Sequence, residues 1–166
     1  VWSAQREEGW RTALQGAGLE SKRFAFHPDQ SVPKRTEKLR EAGRELSSYV
    51  LRRPDITAVV AANDYVVMGV LDAIRERQLP SERWPSIVGF DNLPTAHGHV
   101  VTSLRHSGED LGRAAADLLW ERHHGLLVGA PQHRQVSMHL IPRLTSRMDW
   151  SLEAGHLNLT TPTVVA

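Results

Sequence analysis

The chain has 166 residues, with 40% hydrophobic and 23% charged side chains, an ordinary globular balance that excludes fibrous and disordered classes. Its 20 Lys+Arg against 19 Asp+Glu leave a formal charge of +1, and the signs are interspersed, as in the stretch from Arg35 to Glu45. Direct nucleic-acid binding by this region is therefore not expected, since it needs a clustered basic excess. Zero cysteines exclude disulfides and thiolate zinc sites.

No apolar run approaches the roughly 18 residues of a membrane span, and the first ten residues carry no signal-peptide pattern. The expectation is a cytoplasmic protein with no membrane partner, and a piece of a longer chain, because it opens directly in helix-like sequence.

In chain order, Gln5 to Ala17 reads as a helix, with Trp10 and Leu14 on one face and Gly16 and Gly18 as a stop. Phe24-Ala25-Phe26 reads as a short strand closed by His27-Pro28-Asp29. Its two phenylalanines suit either strand core or an aromatic platform. From about Pro33 to Arg53, Leu39, Ala42, Leu46, Tyr49 and Val50 fall on one helical stripe that Pro54 ends.

Ile56 to Ala61 is a β-branched-rich run, the pattern of a strand buried on both faces. Asn63 or Asp64 then caps a helix reaching about Arg77, with Val67, Val70, Leu71 and Ile74 as its apolar stripe. Ser86 to Phe90 reads as a second buried strand, stopped by Asp91-Asn92, and Val100 to Leu104 as a third. Ser107 to Asp110 resembles a capping box before a helix striped by Leu111, Ala114, Ala115, Leu118 and Leu119. Val136 to Leu140 alternates like a strand. Residues 148–166 lose periodicity, and a loosely ordered tail is expected there. Strand and helix alternate, so the fold class is α/β on a parallel sheet.

Ligands of open parallel sheets bind beyond the carboxyl ends of the strands. Asn63-Asp64 and Asp91-Asn92 both sit at such ends and would emerge on one edge. An amide and a carboxylate there can donate to and accept from vicinal hydroxyls. The same residues also suit plain caps and turns.

The run from Ile56 to Leu79 followed by Ser86 to Asn92 resembles the signature of the lactose/galactose repressor family: an A-x-N-D strand-to-helix turn, a G-V-L-x-A-I helix and an I-V-G-F-D strand end. Four further segments are similar to that family in the correct order. They are Arg6 to Trp10 (R-x-x-G-aromatic), Thr102 to Arg105, Leu111 to Ala115 (L-G-x-x-A) and Arg143 to Arg147.

The resemblance implies a type I periplasmic-binding-protein-like, three-layer parallel-sheet lobe that forms the C-terminal part of an effector-binding domain over residues 1–147. The helix around residues 107–130 would belong to, or cross toward, the other lobe. It implies a ligand-sensing and dimerisation domain of a bacterial transcription regulator, not an enzyme and without cofactor. Its partners would be a sugar-like effector, a second copy of the chain, and operator DNA held by a helix-turn-helix outside these residues. Asp91 and Asn63 would line the effector cleft, Arg6 would donate to ligand hydroxyls or an anionic group, and His106 and His27 would be further cleft residues.

A periplasmic solute-binding protein shares this fold and is the alternative function. The nine histidines, notably His97-x-His99 and His123-His124, raise a metal-dependent enzyme as a second alternative. They lack a third ligand at convincing spacing. A response-regulator-like module would need a lysine at a strand end, which Lys22, Lys34 and Lys38 do not supply.

Overall fold

The structure is a computed structural model describing residues 2–19, 21–22, 35–94, 100–146 and 163–165. Its elements are α1 (Trp2–Gly16), β1 (Ser21–Lys22), α2 (Arg35–Val50), β2 (Ile56–Val60), α3 (Asp64–Glu76), β3 (Ser86–Phe90), β4 (Thr102–His106), α4 (Gly108–His123), β5 (Met138–Ile141) and β6 (Thr163–Val165). The α/β alternation read from the sequence is thus present. The expected strand at 24–26 lies outside the described residues, and Lys22, read from the sequence as lying away from strand ends, instead closes β1. So does most of the tail, of which Thr163–Val165 forms β6.

The six strands lie in the order β1-β6-β2-β3-β4-β5. β2, β3 and β4 are parallel neighbours, with Val60 opposite Val88 and Phe90 opposite Leu104. Among the described strands only β5 runs antiparallel, placing His106 opposite Met138.

The core forms where α2 and α3 pack on each other and against β2 and β3. The stripe predicted for α3 is the buried one: Val67, Val70 and Ile74 are at most 1% exposed and meet Val59, Ile87 and Val101. Burying side chains of this size contributes roughly 1.5–3 kcal/mol each. The two helices cross at Gly43 and Gly69, where any side chain would meet the opposite backbone. Beside this crossing, Asp72 of α3 accepts from Arg40 (Nε and Nη2) and from Arg44 Nη2 of α2.

β3 and β4 are stitched at their beginnings by the segment after β5. Ile87 N donates to Thr145 O (2.7 Å), Thr145 Oγ1 donates to Ile87 O (2.8 Å), and Thr145 N donates to Val100 O (3.0 Å). Thr145 Oγ1 also accepts from Thr102 N (2.8 Å). Thr102, Ser103, Thr145 and Ser146 are all buried, and no buried side-chain polar atom among the described residues lacks a partner.

α4 behaves differently. Ser107 caps it by accepting from Asp110 N (3.1 Å), as the capping pattern suggested. Yet none of its residues is buried, and Leu119 and Trp120 are 72% and 63% exposed.

Candidate functional site

Since β2, β3 and β4 are parallel neighbours, their carboxyl ends open on one edge of the sheet. Asn63 follows β2, Asp91 follows β3, and His106 closes β4. Arg6 of α1 reaches the same edge. Its Nη1 donates to Ala62 O (2.8 Å), and its guanidinium lies 4.2 Å from the centre of the Phe90 ring. The contact to an anchored aromatic face fixes a long side chain that would otherwise sample many rotamers. Four of the five candidates therefore share one rim. The fifth, His27, lies outside the described residues, as do Phe24, Phe26, His97 and His99.

The two residues of the A-x-N-D turn divide their roles in a way that local pattern leaves open. Asn63 has the extended backbone of a helix cap (φ −163°, ψ 174°), and its Oδ1 accepts from Val66 N at 3.1 Å. Its Nδ2 is the half of the side chain suited to a ligand hydroxyl. Asp64 does not cap. It is 3% exposed and turns toward β3 and β4, where Oδ1 accepts from Ser103 Oγ (2.8 Å) and Oδ2 from Leu93 N (2.8 Å). Reading Asp64 as a cap is corrected by this geometry.

Asp91 and Asn92 both adopt left-handed backbone, with φ 93° and 50°. Asp91 N donates to Leu104 O and Asn92 N to Ser103 Oγ, each at 3.0 Å. Arg143 completes the turn by donating from Nη2 to Asn92 Oδ1 and from Nη1 to Val101 O, each at 2.6 Å.

Burial pushes the Asp64 carboxyl above the ordinary aspartate range. The Leu93 N–H and the Ser103 hydroxyl pull it back, the negative charge of Asp91 raises it, and the positive charge of Arg143 lowers it. Ser103, Arg143 and Phe90 are not singled out as site residues by the sequence, and Asp64 is weighed there only against a cap. One signal was there: Gly89 between the large apolar residues Ile87, Val88 and Phe90 of a strand marks a close approach, and the group that approaches is Asp64.

His123 and His124 lie at the end of α4, with His124 Nδ1 2.9 Å from Trp120 O. Among the described residues, no group of three or more His, Asp or Glu side chains is arranged to hold a metal ion. No helix among them is long and apolar enough to cross a membrane. Shallow depressions occur elsewhere, on α2 beside Tyr49 and Arg52 and beside Leu118 and Pro131.

The periplasmic binding protein-like domain family matches residues 1–146. The HTH-type transcriptional repressor PurR of Actinobacillus pleuropneumoniae serotype 5b is 25% identical over 148 residues, which is 87% of this chain and 41% of that protein. The lactose operon repressor of Rhizobium radiobacter is 35% identical over 104 residues, 61% of this chain and 81% of that protein. Among solved structures, a transcriptional regulator CelR–cellobiose complex is 28% identical with a TM-score of 0.64, covering 86% of this chain and 42% of that one. The chain thus spans less than half the length of PurR and CelR.

Proposed function

The chain belongs to the periplasmic binding protein-like domain family and, within it, to the lactose/galactose repressors, and on that premise we propose that it is the effector-sensing part of a longer DNA-binding transcription regulator. The effector is a sugar or a related small polar molecule. The observation that carries this reading is the shared rim, where an amide (Asn63), a carboxylate (Asp91) and an imidazole (His106) sit at neighbouring strand ends and a guanidinium (Arg6) reaches the same edge from α1. That set of donors and acceptors suits vicinal hydroxyls, and the similar CelR structure is a complex with cellobiose.

In this reading the rim is one wall of a cleft and a second lobe supplies the other. The apolar residues that α4 leaves exposed, Leu111, Leu119 and Trp120, support its packing on that lobe. Effector binding favours one arrangement of the lobes, and this bias reaches operator DNA through a head outside the chain. The regulator acts in the cytoplasm as a homodimer, without catalysis. The relatives that match are repressors, so the solute-binding alternative is not favoured.

The test uses the full-length protein. Calorimetric titration with cellobiose and lactose should find a sugar that binds, and Asp91→Ala should abolish the sugar response while operator binding persists. An unchanged response in that variant would remove Asp91 from the site.

A further inference from the structure

We infer that Asp64 is a positioning residue for effector binding: its buried carboxylate locks the left-handed turn that presents Asp91 at the rim. The inference rests on the reading of Asp91 as an effector ligand and adds a residue to it that touches no effector.

Two successive non-glycine residues in left-handed conformation are unusual, and they persist only where the surroundings over-determine them. Asp91 and Asn92 form such a pair. Three consecutive backbone N–H groups hold it. That of Asp91 continues the strand pairing to Leu104 O. That of Asn92 donates to Ser103 Oγ, whose own proton goes to Asp64 Oδ1. That of Leu93 donates directly to Asp64 Oδ2. Two of the three thus end on one carboxylate, 3% exposed. Helix capping does not explain this residue, because Asn63 already accepts from Val66 N.

The chemistry requires a carboxylate. Two donors, the Leu93 N–H and the Ser103 hydroxyl, need two acceptor oxygens on one side chain. An asparagine offers a single oxygen and turns its NH2 against one of them, leaving a buried donor without a partner. The charged groups facing Asp64 are Asp91 on the β3 end and Arg143 on the segment after β5. They act in opposite directions on it.

The experiment follows amide hydrogen exchange in the effector-free full-length protein and then cellobiose or lactose affinity. In Asp64→Asn, exchange at Leu93 should rise at least tenfold, and in Ser103→Ala that at Asn92 should do the same. Val67, Val70 and Ile87 should stay protected in both. Sugar affinity should fall about tenfold in both variants. Turn amides that exchange no faster, or only in step with the core amides, overturn the inference, as does full sugar affinity in a variant whose turn has loosened. A wild type that binds neither sugar counts against the effector reading alone, because the exchange measurements need no ligand.

Discussion

A Cβ placed on Gly89 would overlap the Oδ1 of Asp64. Gly89 is therefore the glycine of the I-V-G-F-D strand because a buried carboxylate occupies the space a side chain would take. Its φ needs no glycine; the requirement is steric. Any larger residue pushes Asp64 off Ser103 and Leu93.

Gly89→Ala should destabilise the protein by about 1–3 kcal/mol, the range for overpacking a buried site. It should also weaken sugar binding as Asp64→Asn does. Urea unfolding reads the first effect as a lower midpoint at unchanged slope. A variant as stable as the wild type would mean that Asp64 can move aside freely.

The pH dependence of stability follows from the raised Asp64 carboxyl. Burial, the largest cause, lifts it above the ordinary 3.8. Between 3.8 and the raised value the folded protein keeps a proton that the unfolded chain has released. By linkage, stability then falls as pH rises. The contribution of this group is complete below 3.8 and is lost as pH climbs through the raised value. Subtracting the unfolding free energy of Asp64→Asn from that of the wild type across this window should give a declining curve. A rising curve would reverse the assignment.

The elements from α2 to β5 and their order were legible because apolar periodicity reports which face is buried, and α3 and β3 are buried as their patterns require, whereas the short strands β1 and β6 carry too few residues to show a period. The meeting of the β2 and β3 ends was legible too, since β-branched runs alternating with helices imply parallel strands. What stayed hidden depended on backbone angles or distant contacts. Whether Asn63 or Asp64 caps α3 is decided by the extended φ of Asn63. The stacking of Arg6 on Phe90 joins residues far apart in the chain, and the insertion of Thr145 between β3 and β4 does the same. The stripe of α4 was visible, but periodicity names a face and not the surface that covers it.

The ion cluster between α2 and α3 should respond asymmetrically to its two sides. The Asp72 side chain is 8% exposed, whereas those of Arg40 and Arg44 are 41% and 35% exposed. Removing the carboxylate lets the arginines rehydrate, so Asp72→Asn should cost about 1 kcal/mol. Removing Arg40 strips charge compensation from a group that water reaches poorly, and Arg40→Met should cost more, about 1–3 kcal/mol. Chemical unfolding of both variants checks the order, and a larger cost for Asp72→Asn would contradict it.

The crossing of α2 and α3 makes the sharpest stability prediction. A helix interior normally gains from Gly→Ala, by about 1 kcal/mol. At Gly43 and Gly69 the sign should reverse. A Cβ on Gly43 would overlap the carbonyl oxygen of Val66 and lie 2.9 Å from the Cα of Gly69. One on Gly69 would overlap the carbonyl oxygen of Arg40 and lie 2.9 Å from the Cα of Gly43. These are backbone atoms, so no rotamer change relieves them and the helices must separate, opening the core around Leu46, Val67 and Val70. Each single variant should lose about 2–3 kcal/mol net of the propensity gain. The double variant should lose clearly less than the sum, because residues in contact couple and one methyl already holds the helices apart. Thermal and urea unfolding of the two singles and the double closes the cycle. Additive losses would show that the two glycines relieve separate clashes, and a gain in either single would show that the helices do not cross this closely.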